Sequence, residues 1–401
     1  MTTTKKTIAV LFGGRSPEHD ISVVTGLQAL NALDPELYDA FPLYVSTTGE
    51  WLVGDILRMR DVYIPGPNEA KQLTAVTLQH GPPSRPTLVS QRPSILSRKV
   101  HIEFDFALLA FHGLYGEDGR VQGQLEMAGV PYSGMRLLAS TVSMDKIVTK
   151  ALLSGTGIPL LPHWRIDRPK QGLLISPNEL RVALPEVKFP CCIKPIHLGS
   201  SIGVSRVNSW QDVSDVLPDI FRHDNGAMLE PFVNNLVEYN VSVCRLNGQI
   251  CTSAIEKPKR SSELLDFKAK YLSGGNKSDG SKLLGSSSEG MLSLTRTINP
   301  NLQGDSEKNI RDWATTAFEC LNGSGVPRID FLSDSATGQI WLNEINPCPG
   351  SFGFFLWEAA TPPMIFATLL EALIAEGFTL HQSARLPSDP VPVDAQLFKR
   401  K

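Results

Sequence analysis

The chain has 401 residues, 42% hydrophobic and 20% charged, the composition of an ordinary globular protein with room for two or three packed domains. A formal net charge of -3 supplies no global basic field, so neither nucleic acid nor an anionic membrane surface is an expected partner, and small molecules are. No stretch approaches the ~20 apolar residues needed to cross a bilayer. The nearest, 364–375, is interrupted by Glu371, and the run from Ile8 to Phe12 is too short for a signal-peptide core. Six cysteines (Cys191, Cys192, Cys244, Cys251, Cys320 and Cys348) show no CxxC spacing and no zinc pattern with the eight histidines. They read as reduced core thiols, consistent with a cytoplasmic location.

In chain order, 6–12 is expected as a parallel strand, 13–16 as a loop, 18–33 as a helix and 40–45 as a second strand, an α/β opening. The stretch 61–93 holds several prolines and little pattern, and is expected to be an insertion or surface excursion. Regular signals resume with a strand over 104–111, the loop His112-Gly-Leu-Tyr-Gly-Glu-Asp-Gly119, a helix over 121–127 and the segment Pro131-Tyr-Ser-Gly134. A second unit begins near Met135 with a helix carrying Met144-Asp-Lys146, followed by a strand over 187–194. A third begins around the strand 228–232 and continues with strands over 241–244 and 251–256, a loop region over 266–290, a helix over 306–321 and a hairpin over 328–346. Beyond about Gly377 the chain becomes proline-rich and is expected to be a mobile tail.

The hairpin carries the sharpest chemistry. Side chains alternate along strands, so Arg328 and Asp330 share one face of the first strand, and Glu344 and Asn346 one face of the second. Two carboxylates and a carboxamide beside a guanidinium make a magnesium site completed by nucleotide phosphates; the alternative is a salt-bridged hairpin surface. Glu18, after Gly13-Gly-Arg-Ser-Pro, stands at a helix N-terminus, where it either grips a ligand ammonium group or caps the helix. His112 opens a glycine-rich acidic loop at the carboxyl end of a strand, where ligands of open α/β sheets collect, or it is part of a polar connection. Lys194 leaves a strand and runs into Gly199-Ser-Ser-Ile-Gly203, a lysine and donor-rich loop suited to phosphate but lacking Walker spacing. Glu230, Phe232, Val233 and Glu238 end an apolar strand and could flank an adenine and its ribose, a weak signal alone. Lys270 and Tyr271 lie on a loop that either closes over a site or is simply exposed.

Taken in this order, the segments GGRSPEHDIS, HGLYGEDG with PYSG, MDK, KPIHLGSSIGVS, DFKAKY and RIDF followed by NEINPCPG resemble the D-alanine:D-alanine ligases, ATP-grasp carboxylate-amine ligases. The resemblance covers roughly residues 6 to 380. It implies an α/β, three-domain ATP-grasp architecture: an N-terminal parallel-sheet, substrate-binding domain over 1–134, a central subdomain over 135–230, a C-terminal domain with the metal site over 231–380, and a tail over 381–401. It also implies that Lys146 and Lys194 contact ATP phosphates, that Glu230, Phe232, Val233 and Glu238 surround the adenosine, and that Lys270 belongs to a closing loop. Asp330, Glu344 and Asn346 would hold two magnesium (or manganese) ions. Glu18 would grip the first substrate's ammonium group within a network including Ser200 and Tyr271, and His112 would lie near its carboxylate. Arg328 and the Gly350 amide would stabilise the anionic transition state. A homodimer is usual in such families.

One position departs from the resemblance. Five residues after the glycine of the last motif, family members carry a serine that binds the acceptor carboxylate; here that position is Phe355. Either Ser351 or a shifted backbone takes over, or the acceptor is another amino or hydroxy acid, or Phe355 is packing and the loop has changed register. Three readings follow: a D-alanine:D-alanine ligase, an ATP-grasp ligase with a different acceptor, and a catalytically dead nucleotide-binding protein. The presence of Glu18, Lys194, Arg328, Asp330, Glu344 and Asn346 argues against the third.

Overall fold

The computed structural model describes residues 5–63, 72–79, 85–91, 100–259 and 296–384. Strand β1 (Lys6–Gly13) lies inside a seven-stranded sheet, parallel to β2 (Tyr38–Val45) on one side. Its side chains alternate between two cores: Ile8, Val10 and Phe12 pack with Val23, Ala29 and Leu30 of α1 (His19–Ala32), while Ala9 and Leu11 enter the core on the other face. Burial on both faces is why this run is continuously apolar rather than alternating. The sheet continues outward from β2 through β3 (Trp51–Val53), β4 (Thr74–Leu78), β5 (Thr87–Ser90) and β6 (His101–Glu103), all antiparallel, and β7 (Phe106–Leu109) pairs parallel to β1 on its other side.

The expectation that 61–93 is a surface excursion therefore needs correcting. Strands β4 and β5 fall within it and extend the sheet, with Val76, Leu78 and Leu88 buried in the same core as Ala9. The alternation Thr74-Ala-Val76-Thr-Leu78 is a strand signal that the surrounding prolines obscure.

After α2 (Arg120–Met127), the chain crosses through α3 (Leu137–Met144) and α4 (Lys146–Leu153). Asp145 caps α4, accepting the Ile147 and Val148 amides at 2.9 Å each. A four-stranded antiparallel sheet then forms from β8 (Trp164–Asp167), β9 (Cys191–Pro195), β10 (Ser205–Val207) and β11 (Gly226–Pro231), in the order β10-β9-β11-β8. Leu180 of α5 (Pro177–Ala183) and Val213, Leu217 and Phe221 of α6 (Trp210–Phe221) cover one face, packing on Ile166, Ile193 and Ala227. The third sheet is antiparallel in the order β14-β13-β12-β15-β16, from β12 (Leu236–Leu246), β13 (Gln249–Pro258), β14 (Arg296–Ile298), β15 (Arg328–Asp334) and β16 (Ile340–Asn346). Ile310, Ala314 and Phe318 of α7 (Ser306–Cys320) back it, against Val241, Ile329 and Phe331.

After the short helix α8 (Phe354–Glu358), α9 (Phe366–Ala384) returns to the first sheet, burying Leu369, Leu370, Leu373 and Ile374 with Ile8 and Phe12. Gly377 makes this fit possible: a Cβ there would meet the Tyr132 carbonyl oxygen at 2.4 Å. The expectation of a mobile tail beyond about Gly377 is corrected over 378–384, which continue α9, and 385–401 lie outside the described residues. Of the cysteines expected in cores, Cys191 and Cys244 are buried, whereas Cys320 is exposed on α7. Among the described residues, no helix is long and apolar enough to cross a membrane.

Candidate active site

In the β15–β16 hairpin, Arg328 pairs with Asn346, Ile329 with Ile345 and Asp330 with Glu344, after which a bulge leaves Asn343 unpaired and Phe331 opposes Leu342. The bulge resolves a conflict of parity. Leu342 and Ile345 both enter the core behind the sheet, three residues apart rather than two, so the extra residue lets Asn343, Glu344 and Asn346 all stay out of it. Arg328 grips Asp330 with two bonds of 2.7 Å, and the Asn346 amide donates to Asp330 Oδ2 at 3.0 Å. This bidentate pairing holds the guanidinium plane fixed beside the carboxylates.

The lysines reach this hairpin from the neighbouring sheet. Lys194, at the end of β9, donates to Asn343 Oδ1 at 2.7 Å and to Glu230 Oε1 at 2.6 Å. Glu230, on β11, also accepts Lys150 Nζ at 3.0 Å, and all three side chains are buried. Burial alone would raise the Glu230 carboxyl, but the two ammonium groups outweigh it and hold it down at about 2. The Lys194 ammonium is likewise kept charged: burial opposes it, and the carboxylate of Glu230 more than compensates. Lys146, first residue of α4, bonds the Leu198 carbonyl at 2.7 Å and lies 3.3 Å from Glu344 Oε2. Lysine nitrogens and hairpin oxygens thus face each other across the junction of the second and third sheets.

The first sheet supplies the opposite wall. Glu18 occupies the N-cap position of α1 but makes no side-chain cap; its carboxylate instead accepts the Ser200 hydroxyl from the 199–203 loop. Gly113, at φ +74°, lies against this carboxylate, where a Cβ would come within 2.6 Å of Glu18 Oε2. His112 is buried with both ring nitrogens engaged, Nδ1 with the Cys348 carbonyl at 2.9 Å and Nε2 with the Thr25 hydroxyl at 2.8 Å. Burial lowers its pKa to about 4, so the imidazole is neutral, with Nδ1–H donating to the carbonyl. Thr25 also accepts the Ser351 amide at 3.0 Å, so the 348–351 turn is tied to α1 and to His112. Glu117, buried beside it, accepts the amides of Gly113 and, at 2.7 Å, Cys348; burial first, and the nearby Glu18 second, push its carboxyl up to about 8.

Among the sequence-designated residues, Glu18, His112, Lys146, Ser200, Arg328, Glu344, Asn346 and Gly350 line one open cleft. Asp330 lies directly behind Arg328, and Lys194 and Glu230 adjoin through Asn343. Phe232 is half-buried with the Arg206 guanidinium 4.6 Å from its ring centre, Val233 is at the edge of burial, and Glu238 is half-buried opposite Leu332. Ser351 is not among the lining residues; its hydroxyl donates to Gln28. Phe355 is half-buried in α8, with the Arg296 guanidinium 4.5 Å from its ring centre. Lys270 and Tyr271 lie outside the described residues.

Three participants were missed by sequence reasoning: Asn343, Lys150 and Glu117. The three-residue spacing Leu342–Ile345 is a readable bulge signal for Asn343, whereas the other two depend on long-range contacts. No group of three or more His, Cys, Asp or Glu side chains suited to a metal occurs among the described residues. The set Asp330, Glu344 and Asn346 is instead two carboxylates and one carboxamide on adjoining strands, hard oxygen donors of the kind magnesium accepts when phosphates and water complete its shell, so the donor set fits.

Two family models match: the D-ala D-ala ligase N-terminus over residues 7–135 and the D-ala D-ala ligase C-terminus over 152–375. A D-alanine–D-alanine ligase of Geobacillus thermodenitrificans is 31% identical over 95% of this chain and 98% of its own, and one from a Mycobacterium species is 32% identical over 92% and 96%. Among solved structures, the D-alanine–D-alanine ligase of Coxiella burnetii superposes with a TM-score of 0.74 at 25% identity, covering 95% of this chain and 96% of that one. The VanG D-Ala:D-Ser ligase of Enterococcus faecalis shares the fold, with a TM-score of 0.72 at 24% identity over 93% of this chain and all of that one. The three-sheet α/β architecture is thus that of the ATP-grasp ligases, and the chain belongs to the D-alanine–D-alanine ligase family.

Proposed function

We propose that the protein joins two D-alanine molecules at the expense of ATP, giving D-alanyl-D-alanine, ADP and phosphate for peptidoglycan precursor synthesis. The observation that carries this reading is the convergence in one cleft of Glu18 with Ser200, Lys146 with Glu344, and Arg328, which Asp330 holds from behind, groups supplied by segments that flank all three sheets. The different-acceptor reading suggested by Phe355 is not favoured, because relatives matching nearly the whole chain at 28–31% identity share one named activity.

A carboxylate is a poor electrophile, so the first step makes it a good one. The ammonium group of the first D-alanine sits on the Glu18 carboxylate, which Ser200 orients, while neutral His112 shapes the turn that ends at Gly350. A carboxylate oxygen of this D-alanine attacks the γ-phosphorus of ATP, the bond to the bridging oxygen breaks, and ADP leaves. Lys146 and Lys194 face the phosphates, with Glu230 keeping Lys194 charged and aimed. Asp330, Glu344 and Asn346 would hold magnesium, which when bound would supply positive charge against the nucleotide phosphates. The amine of the second D-alanine then attacks the acyl carbon, loses a proton and expels phosphate, while Arg328 and the Gly350 amide take up the charge that develops on the carbonyl oxygen.

We assign the site roles of Lys270, Tyr271, Phe232, Val233, Glu238 and Ser351, the domain limits 1–134, 135–230 and 231–380, a cytoplasmic location and a homodimeric state as parts of the same proposal. The experiment is ADP release with a panel of D-amino acids, with and without a chelator. Magnesium-dependent release with D-alanine and formation of the dipeptide are expected; no release with any member of the panel would refute an enzymatic role.

A further inference from the structure

A second charged cluster borders the cleft, and no step above uses it. His197 lies between β9 and the 199–203 loop, and both of its ring nitrogens face carboxylates. Nδ1 lies 2.7 Å from Asp224 Oδ1 and Nε2 3.3 Å from Asp145 Oδ2, while the His197 amide donates to Asp224 Oδ2 at 2.7 Å. Ionised carboxylates only accept, so both nitrogens must carry protons and the ring is an imidazolium. Asp224 is almost wholly buried, and Asp145 uses its other oxygen to cap α4. Among the described residues, the charges beside the cluster include Arg165 on β8, engaged by Asp167 at 2.6 Å, and Lys146, directed at Leu198 and Glu344.

The position of this clamp gives it a task. Around His197, the Lys146 amide bonds the Ile196 carbonyl at 3.3 Å and the Lys146 ammonium bonds the Leu198 carbonyl, so the start of α4 and the root of the loop are stitched together on both sides of the histidine. Immediately beyond, Ser200 and Ser201 adopt left-handed conformations, at φ 54° and 60°. Non-glycine residues in that region cost free energy and persist only where surrounding structure holds them.

We propose that His197 is a positioning residue: its bridge between Asp145 and Asp224 holds Lys146 and the 199–203 loop in the geometry that receives the nucleotide phosphates. This rests on the nucleotide-binding reading of the cleft. Hydrogen bonds to Asp145 and Asp224 push the His197 pKa up to about 9, against burial. The clamp is therefore charged below about 9, and as the pH rises through that value it becomes a neutral ring between two carboxylates.

The test is calorimetric titration of the full chain with Mg-ADP from pH 7 to 10, for the wild type, His197→Asn and His197→Arg. Wild-type affinity should fall about tenfold with a midpoint near 9, the scale expected for losing charged hydrogen bonds. His197→Asn should bind more weakly at pH 7.5 and show no such midpoint. His197→Arg, charged throughout the range, should bind more tightly than His197→Asn and also lack the midpoint. Melting curves at pH 7.5 report whether each variant folds, and if His197→Asn does not, the wild-type profile and the arginine variant decide. Wild-type affinity that is flat through pH 9, or an arginine variant no better than asparagine, overturns the proposal. Failure of the wild type to bind the nucleotide at any pH would instead overturn the ligase reading.

Discussion

Replacing Glu230 with glutamine should destabilise the protein and weaken ATP binding together, because one buried carboxylate neutralises two buried ammonium groups. Glu230 lies 2.6 Å from Lys194 and 3.0 Å from Lys150. A carboxyl held at about 2 rather than the ordinary 4.5 is favoured in its charged form by about 3 kcal/mol. Removing one partner of a buried ion pair costs about 3–5 kcal/mol, so the two routes agree in scale. The amide keeps the shape but leaves Lys150 and Lys194 repelling one another, and Lys194 loses its aim toward Asn343. The expected outcome is a fall in melting temperature on the order of 5–10 °C, with a raised KM for ATP and little change in KM for D-alanine. The pH dependence has a definite sign. The contribution of Glu230 is complete above 4.5 and is lost as the pH falls through about 2, so acid should destabilise the wild type over that window more steeply than the variant. Calorimetry and initial rates measure both; a variant melting within 2 °C of the wild type with unchanged KM for ATP would refute the reasoning.

Arg328→Lys removes the two-pronged grip on Asp330, and a loss of about 10²–10³ in kcat with intact nucleotide binding is expected in steady-state assays. Ser200→Ala deprives Glu18 of its hydroxyl partner and should raise KM for the first D-alanine by about tenfold, read by varying D-alanine at saturating ATP. Phe355→Ser removes the ring beneath Arg296, a contact worth about 0.5–1 kcal/mol, and should change acceptor preference when alternative D-amino acids compete in the dipeptide assay; unchanged acceptor kinetics would mean that this side chain does not face the substrate.

Legibility in the sequence followed the range of the contacts involved. The buried strand Lys6–Gly13 and the hairpin Arg328–Asn346 were readable because local periodicity and turn chemistry specify them. Even there, the bulge at Asn343 escaped alternation-based reasoning, although Leu342 and Ile345 carry its signature. The strands Thr74–Leu78 and Thr87–Ser90 are hard to read because surrounding prolines obscure the short alternation of the first, and because both are held by pairing along the sheet. Glu18 is ambiguous in the sequence between cap and ligand, and the Ser200 contact, 182 residues away, shows its carboxylate turned to the loop and not to the helix. The same holds for His197, an ordinary loop histidine until Asp145 and Asp224 close on it.

In the proposed reaction, the carboxylate of one D-alanine is phosphorylated before the second amine attacks. D-alanine labelled with ¹⁸O in its carboxyl group tests it most directly, by mass spectrometry of the phosphate released with the dipeptide. One labelled oxygen per phosphate is expected, because the oxygen that attacks phosphorus departs with it. Dipeptide formed with unlabelled phosphate, or ATP turnover with D-alanine that yields no dipeptide, would contradict the account.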